Sequence, residues 1–197
     1  MILKNMIIFV GRPNAGKSSL IRKLTGIKTK VGKSAGTTRK FYYFIIGNFV
    51  LVDFPGFGKI SHASKKFIER IKDDIVNVIE EKQDRILLAI HVIDGFTFFH
   101  TLNSSIKKQI IPLDIELSFF LRELQIDTIT VINKIDKMKK SELDTKIQLI
   151  YKSLGYNGYW KENKLNFIPI SIKKNYGISD LVKALKFRKI VFYNRYV

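Results

Sequence analysis

The sequence contains no cysteine, which excludes a disulfide scaffold, thiol catalysis and cysteine-based zinc or iron–sulfur sites. Histidine is scarce, and His62, His91 and His100 are too scattered for a histidine-rich metal centre. No apolar run reaches the roughly 18 residues that a spanning helix needs. The first residues, Met1-Ile2-Leu3-Lys4-Asn5, lack the basic region, apolar stretch and cleavage site of a signal peptide, so a cytoplasmic location is expected. Acidic residues are few: 17 Asp+Glu stand against 35 Lys+Arg, a formal net charge of +18. With 46% hydrophobic and 12% aromatic residues, the chain is nevertheless too apolar to be disordered. A length of 197 residues suits one α/β domain with a sizeable core, and the excess positive charge points to a polyanion.

Short β-branched runs alternate with amphipathic stretches, the pattern of βαβ units with a largely parallel sheet. Met6 to Val10 predicts a central buried strand, and a helix follows from Lys17 to about Thr25. Phe41 to Ile46 and Phe49 to Val52 flank Gly47-Asn48, predicting a hairpin and one antiparallel edge. Phe67, Ile71, Ile75, Val78 and Ile79 lie on one face of a helix over 64–82. Strands are expected at Ile86 to Ile93, Thr128 to Asn133 and Leu165 to Ser171. Helices are expected from Pro112 to Leu124, from Glu142 to Tyr151, and over a closing stretch with Ile178, Leu181, Val182 and Leu185 on one face. Gly95 to Ile111 reads as a loop. The expected fold is therefore α/β, a mostly parallel six-stranded sheet with one antiparallel edge strand, in a single domain over 1–197.

Gly11-Arg12-Pro13-Asn14-Ala15-Gly16-Lys17-Ser18 fits the P-loop pattern G-x-x-x-x-G-K-[ST], between a buried strand and a helix. Glycines let backbone N–H groups close round phosphate oxygens, and the helix adds its positive end. Lys17 would reach the β- and γ-phosphates, and the Ser18 hydroxyl would bind Mg²⁺. Asp53-Phe54-Pro55-Gly56 fits D-x-x-G, with Asp53 holding the ion through water and the Gly56 N–H free to swing toward a γ-phosphate. In Gly36-Thr37-Thr38-Arg39, Thr38 is the candidate second Mg²⁺ ligand and Thr37 the competing choice.

Asn133-Lys134-Ile135-Asp136 supplies base specificity. The Asp136 carboxylate can accept from both the N1–H and the exocyclic amine of guanine, whereas adenine would leave it desolvated and unpaired. Lys134 can lie along the base plane, and Asn133 can brace base and P-loop. Ser171-Ile172-Lys173 can close over the guanine O6 through backbone N–H groups.

In order, GRPNAGKS, a TTR threonine, DFPG, NKID and SIK span 11–173 and resemble the guanine-nucleotide signature of the translation-factor-related GTPases. DFPGFG at 53–58, PLDIELSFFLREL at 112–124 and NKIDK at 133–137 are most similar to the EngB/YihA-type GTPases, which assist assembly of the large ribosomal subunit. The resemblance implies a Ras-like fold, Mg²⁺-dependent hydrolysis of GTP to GDP, and a preribosomal partner with rRNA; the sequence does not fix the oligomeric state, and a monomer is the expectation. It also matches Asn14 to an asparagine that holds K⁺ in potassium-stimulated relatives; the alternative is a turn residue of the loop. The switch segment reads GTTRK, where bacterial members have a glutamine after the threonine. Competing functions are a regulatory GTPase at a membrane surface and one working with a tRNA-modifying partner.

Phe57 stands where Ras-type enzymes place the glutamine that orients water. Unaided hydrolysis is therefore expected to be slow, about 10⁻⁴ s⁻¹ or below, with a partner or K⁺ supplying the rest. Asp73-Asp74 and Glu80-Glu81 read as a solvated helix face. Phe96, Phe98 and Phe99 suit either a partner-binding cluster or a loop folded onto the core. The tail over 187–197 mixes Arg188, Lys189 and Arg195 with Phe192, Tyr193 and Tyr196, which suits either RNA contact or a final apolar helix face. Lys28, Lys30 and Lys33 place further charge in the switch loop, so RNA contact is expected to follow nucleotide state.

Overall fold

The computed structural model describes residues 5–27, 40–56 and 65–192, and the side chains at 65–68 are not part of that description. Gly36, Thr37, Thr38 and Phe57 thus lie outside the described residues. The elements run β1 (Asn5–Val10), α1 (Lys17–Thr25), β2 (Tyr42–Ile46), β3 (Phe49–Asp53), α2 (Lys65–Glu81), β4 (Ile86–Asp94), α3 (Phe98–Lys107), α4 (Leu113–Glu123), β5 (Thr128–Asn133), α5 (Leu143–Ser153), β6 (Phe167–Pro169) and α6 (Ile178–Phe187). One six-stranded sheet has the order β2-β3-β1-β4-β5-β6. Only the hairpin β2–β3 pairs antiparallel; the other four pairings are parallel, as the alternating pattern predicts.

Side chains alternate across β1, and that alternation sorts the core. Ile7 and Phe9 face one layer with Leu20 and Leu24 of α1 and Leu181 and Leu185 of α6. Met6, Ile8 and Val10 face the other, against Ile71, Ile75 and Ile79 of α2 and Leu117 and Leu121 of α4. A third cluster joins Ile93, Phe98, Ile132, Ile147, Ile150 and Phe167 beneath α3 and α5. Because β1 is wholly buried from Met6 to Val10, the loop that leaves it is launched from a rigid floor.

Three expectations need correction. Gly95 to Ile111 is not a loop: it carries α3, which buries Phe98 and Ser105 on one face. The carboxylate of Asp94 accepts from the N–H of Phe96 at 3.1 Å and of Thr97 at 3.2 Å, shaping the turn that starts this helix. The phenylalanine cluster accordingly divides, Phe98 buried at 1% exposure and Phe96 open at 53%. The last strand is shorter than expected, Phe167–Pro169, because the chain turns at Ser171, which bridges back to Tyr176. Finally, the described tail is docked: Ile190 is buried and the Phe192 ring meets Phe49 edge-on at 6.4 Å. Arg188 grips Asp127 through Nε at 2.6 Å and Nη2 at 2.9 Å, so it serves the fold. Residues 193–197 are outside the described residues. On α2, Asp73, Asp74, Glu80 and Glu81 are exposed, the solvated face expected.

Candidate active site

The loop 11–18 leaves β1 and enters α1, and two of its glycines are there for space. A Cβ on Gly11 would sit 2.2 Å from the Val92 carbonyl, and one on Gly16 would sit 2.4 Å from Asn133 Nδ2. Both glycines, and Asn14 between them, have positive φ. Lys17 closes the loop on itself, its ammonium donating to the carbonyls of Gly11 at 2.9 Å and Arg12 at 3.0 Å. Burial pushes its pKa down to about 8 against the pull of Asp53 and Asp114. An ammonium held by two carbonyls inside a cradle of backbone amides is poised for an anion that would supply the missing charge.

Asp53 ends β3 beside the start of α1, where Ser18 Oγ donates to its Oδ2. Its other oxygen, Oδ1, is buried without a partner among the described residues. Burial raises the Asp53 pKa, offset by the Ser18 hydroxyl and the charge of Lys17. Hydroxyl and orphaned carboxylate oxygen, side by side, form a donor set that fits a hydrated Mg²⁺. No cluster of three or more His, Cys, Asp or Glu exists among the described residues. Phe54 is buried and Pro55 follows it, bringing Gly56 against the P-loop. A Cβ on Gly56 would lie 2.6 Å from Pro13 Cα and 3.1 Å from Lys17 Nζ.

On the far side, the strand end of β5 presents 133–136. Asn133 Nδ2 donates to the Ala15 carbonyl at 2.8 Å, and its Oδ1 accepts from the Ile172 N–H at 3.3 Å. One side chain therefore stitches P-loop, β5 and the 171–173 segment together. Lys134 takes a positive φ of 66° and pairs with Asp94 at 2.6 Å. Ile135 is buried, leaving Asp136 exposed, with Ser171 Oγ donating to it at 2.6 Å. Ser171 in turn accepts from the Lys174 N–H at 3.0 Å, which shapes the turn carrying Ile172 and Lys173. Of the residues singled out from the sequence, Gly11 to Ser18, Asp53 to Gly56, Asn133 to Asp136 and Ser171 to Lys173 thus converge at the carboxyl edge of the sheet. That edge is where open α/β sheets bind ligands.

The sequence reading passed over the support beneath the P-loop. Arg12 Nη1 donates to Thr101 Oγ1 of α3 at 2.6 Å and lies 3.7 Å from Asp114 of α4. Asp114 is buried, and its pKa rises to about 6 despite Arg12. His91 of β4 approaches it at 3.9 Å, but burial and the charge of Lys17 hold the imidazole down to about 3, so this contact joins a neutral ring to the carboxylate. Asp94, which anchors Lys134 and the turn before α3, was missed as well. An acid closing an apolar strand run was the available signal for Asp94.

The family described as 50S ribosome-binding GTPase matches residues 6–134, and that described as elongation factor Tu GTP binding domain matches 81–188. A probable GTP-binding protein EngB of Methanococcus maripaludis is 36% identical over 186 residues, 94% of this chain and 81% of its own. Its counterpart in Methanopyrus kandleri is 40% identical over 185 residues, 92% of this chain and 91% of its own. The crystal structure of a probable GTP-binding protein engB superposes with a TM-score of 0.83 at 38% identity, covering 93% of this chain and 97% of that one. Era, solved with MgGDPNP and nucleotides 1506–1542 of 16S ribosomal RNA, gives 0.63 at 25% identity, covering 98% of this chain and 59% of its own.

Proposed function

This chain belongs to the EngB family of GTP-binding proteins and is a GTPase; from that premise we propose that it is a GTP-gated, RNA-binding switch in ribosome assembly, acting on the large subunit or its precursor. In this reading the backbone of 11–16 and the Lys17 ammonium hold the β- and γ-phosphates. Asp136 reads guanine, Lys134 supports the base plane, and Ser171, Ile172 and Lys173 close over O6. Mg²⁺, held by Ser18, Thr38 and, through water, Asp53, would offset charge between the β- and γ-phosphates. In this reading residues 1–197 form one GTPase domain, with the nucleotide motifs over 11–173.

The observation that carries the gating is the seat of Gly56, packed on Pro13 and beside Lys17. A γ-phosphate arriving next to Lys17 meets the Gly56 N–H, and its loss on hydrolysis removes that contact. Gly56 lies between β3 and α2 in the chain, so in this reading its contact with the γ-phosphate is passed on toward α2. Thr38, as the second Mg²⁺ ligand in this reading, engages only while GTP is bound.

The ribosomal part of the reading is supported by the 50S ribosome-binding family match and by the net charge of +18. Phe57 offers no group to orient water, so hydrolysis is slow without a partner; K⁺ at Asn14 is the second means of acceleration. Sedimentation with ribosomal subunits tests the reading. Co-migration with the large subunit in a non-hydrolysable GTP analogue, lost in GDP, is expected. Binding in neither state, or to anionic liposomes alone, would overturn it. For the ion, Asn14→Ala abolishes a stimulation of turnover that K⁺ gives and Na⁺ does not; equal rates in the two salts would remove K⁺ from the mechanism.

A further inference from the structure

Beyond the base loop, a groove of about 660 Å³ runs along the outer edge of β6, between α5 and α6. Its walls carry Lys140, Lys161, Lys164 and Lys183, with Trp160 and Tyr176 among them. Lys161 pairs with Asp144 at 2.8 Å and Lys183 with Asp180 at 3.2 Å, and both of those acids line the groove. Lys140 and Lys164 are exposed and make no ion pair with a described residue, so the groove keeps a positive surplus. Tyr176, which also lines the groove, is 62% exposed. Trp160 is half-buried, its indole N–H fixed on Asp144 at 3.1 Å.

We propose that this groove is a binding site for single-stranded RNA, in which an unstacked base lies on Tyr176 beside Trp160 and the flanking phosphates meet Lys140 and Lys164. The proposal rests on the RNA-binding reading above and locates it on the surface. An exposed aromatic side chain amid unpaired cations is what a single strand uses, because each base offers a stacking face and each phosphate a charge. A duplex keeps its bases inside and cannot make the stack. An added peptide strand is disfavoured by the edge itself: β6 has three residues and ends at Pro169, which has no N–H to donate. The groove also shares Ile135 with the base loop, so RNA bound there sits next to the nucleotide site without occupying it.

The chain has one tryptophan, so its fluorescence reports on this groove alone. The protein, loaded with Mg²⁺ and a non-hydrolysable GTP analogue, is titrated with a fluorescein-labelled single-stranded RNA, reading both RNA anisotropy and Trp160 emission. Quenching that tracks the anisotropy is expected. Lys140→Glu combined with Lys164→Glu weakens binding by 10-fold or more while GTP hydrolysis and GDP affinity stay at the wild-type level, which also shows that the variant is folded. Tyr176→Ala weakens binding by about 5-fold to 100-fold, the effect of losing one stack. RNA binding without quenching, unchanged in the lysine variant, overturns the groove and leaves the RNA reading standing. No RNA binding at all overturns both. Equal quenching by duplex RNA or by polyglutamate overturns the single-strand assignment.

Discussion

Beneath the P-loop, Asp114 and His91 are both buried, and their titrations act on stability in opposite directions. The folded Asp114 has a pKa of about 6 against an ordinary 3.8, so its contribution is fully present below 3.8 and is lost as pH rises through 6. The folded His91 is held at about 3 against an ordinary 6.5, so its contribution is present above 6.5 and is lost as pH falls toward 3. Between about pH 4 and 6 the two slopes cancel. Asp114→Asn removes one of them and exposes the other. Relative to the wild type, that variant is expected to lose about 1.4 kcal/mol per pH unit on acidification through this window. Urea unfolding at several pH values reads the difference directly, and parallel profiles would contradict it.

Lys17 makes a second residue-scale prediction. Its pKa of about 8 reflects burial with too little opposing charge, and bound phosphates provide that charge. Nucleotide binding near pH 8 should therefore take up protons, and binding near pH 6 should not. Calorimetry in two buffers of different ionisation enthalpy measures this uptake. Lys17→Met should abolish it; an uptake that survives in the variant would place the proton elsewhere. The linear motifs were legible because their chemistry is set by covalent spacing: Gly11 to Ser18 and Asn133 to Asp136 land where their patterns require. Asp114 and His91 were not, since they sit on different elements and meet only when α4 packs on β4.

At the scale of the element, α3 shows why a helix can escape a sequence reading. Phe98-Phe99-His100-Thr101-Leu102-Asn103-Ser104-Ser105 buries one aromatic ring and a serine, with too few large apolar residues to mark a stripe. Its start is fixed by Asp94, which lies in the preceding strand, and no side chain of its own N-cap residue makes a capping bond. Yet α3 is not peripheral, because Thr101 holds Arg12 of the P-loop. Phe98, at 1% exposure, is its main anchor to Ile93, Ile132 and the third cluster. Phe98→Ala is expected to cost about 3–5 kcal/mol of stability, the range for truncating a buried aromatic. A cost under about 1 kcal/mol in denaturant unfolding would mean that α3 is dispensable to the fold. The tail shows the opposite case. Its basic and aromatic residues were visible, but their use was not, and Arg188 is spent on Asp127 while Phe192 packs on Phe49.

At the scale of the whole molecule, the sheet gathers chain segments that are remote in sequence into one rim. The ends of β1, β3 and β5 and the turn after β6 all reach it, and Asn133 ties two of these segments across β5. A nucleotide filling the rim would join them a second time, and binding to the folded state alone must then stabilise the entire domain. At a GDP concentration about 100 times Kd, with Mg²⁺, the gain is about 2.7 kcal/mol. For a domain of this size, each kcal/mol moves Tm by roughly 2–4 °C, so the melting point should rise by about 5–10 °C. ATP should give no shift, because adenine leaves the exposed Asp136 carboxylate without its donors. Asp136→Asn should lose the GDP shift while its unliganded Tm stays close to wild type, since among the described residues that side chain is bonded by Ser171 alone. Thermal unfolding of both proteins with GDP, with ATP and without nucleotide decides it. An equal shift with ATP, or a full GDP shift in the variant, would take base recognition away from Asp136.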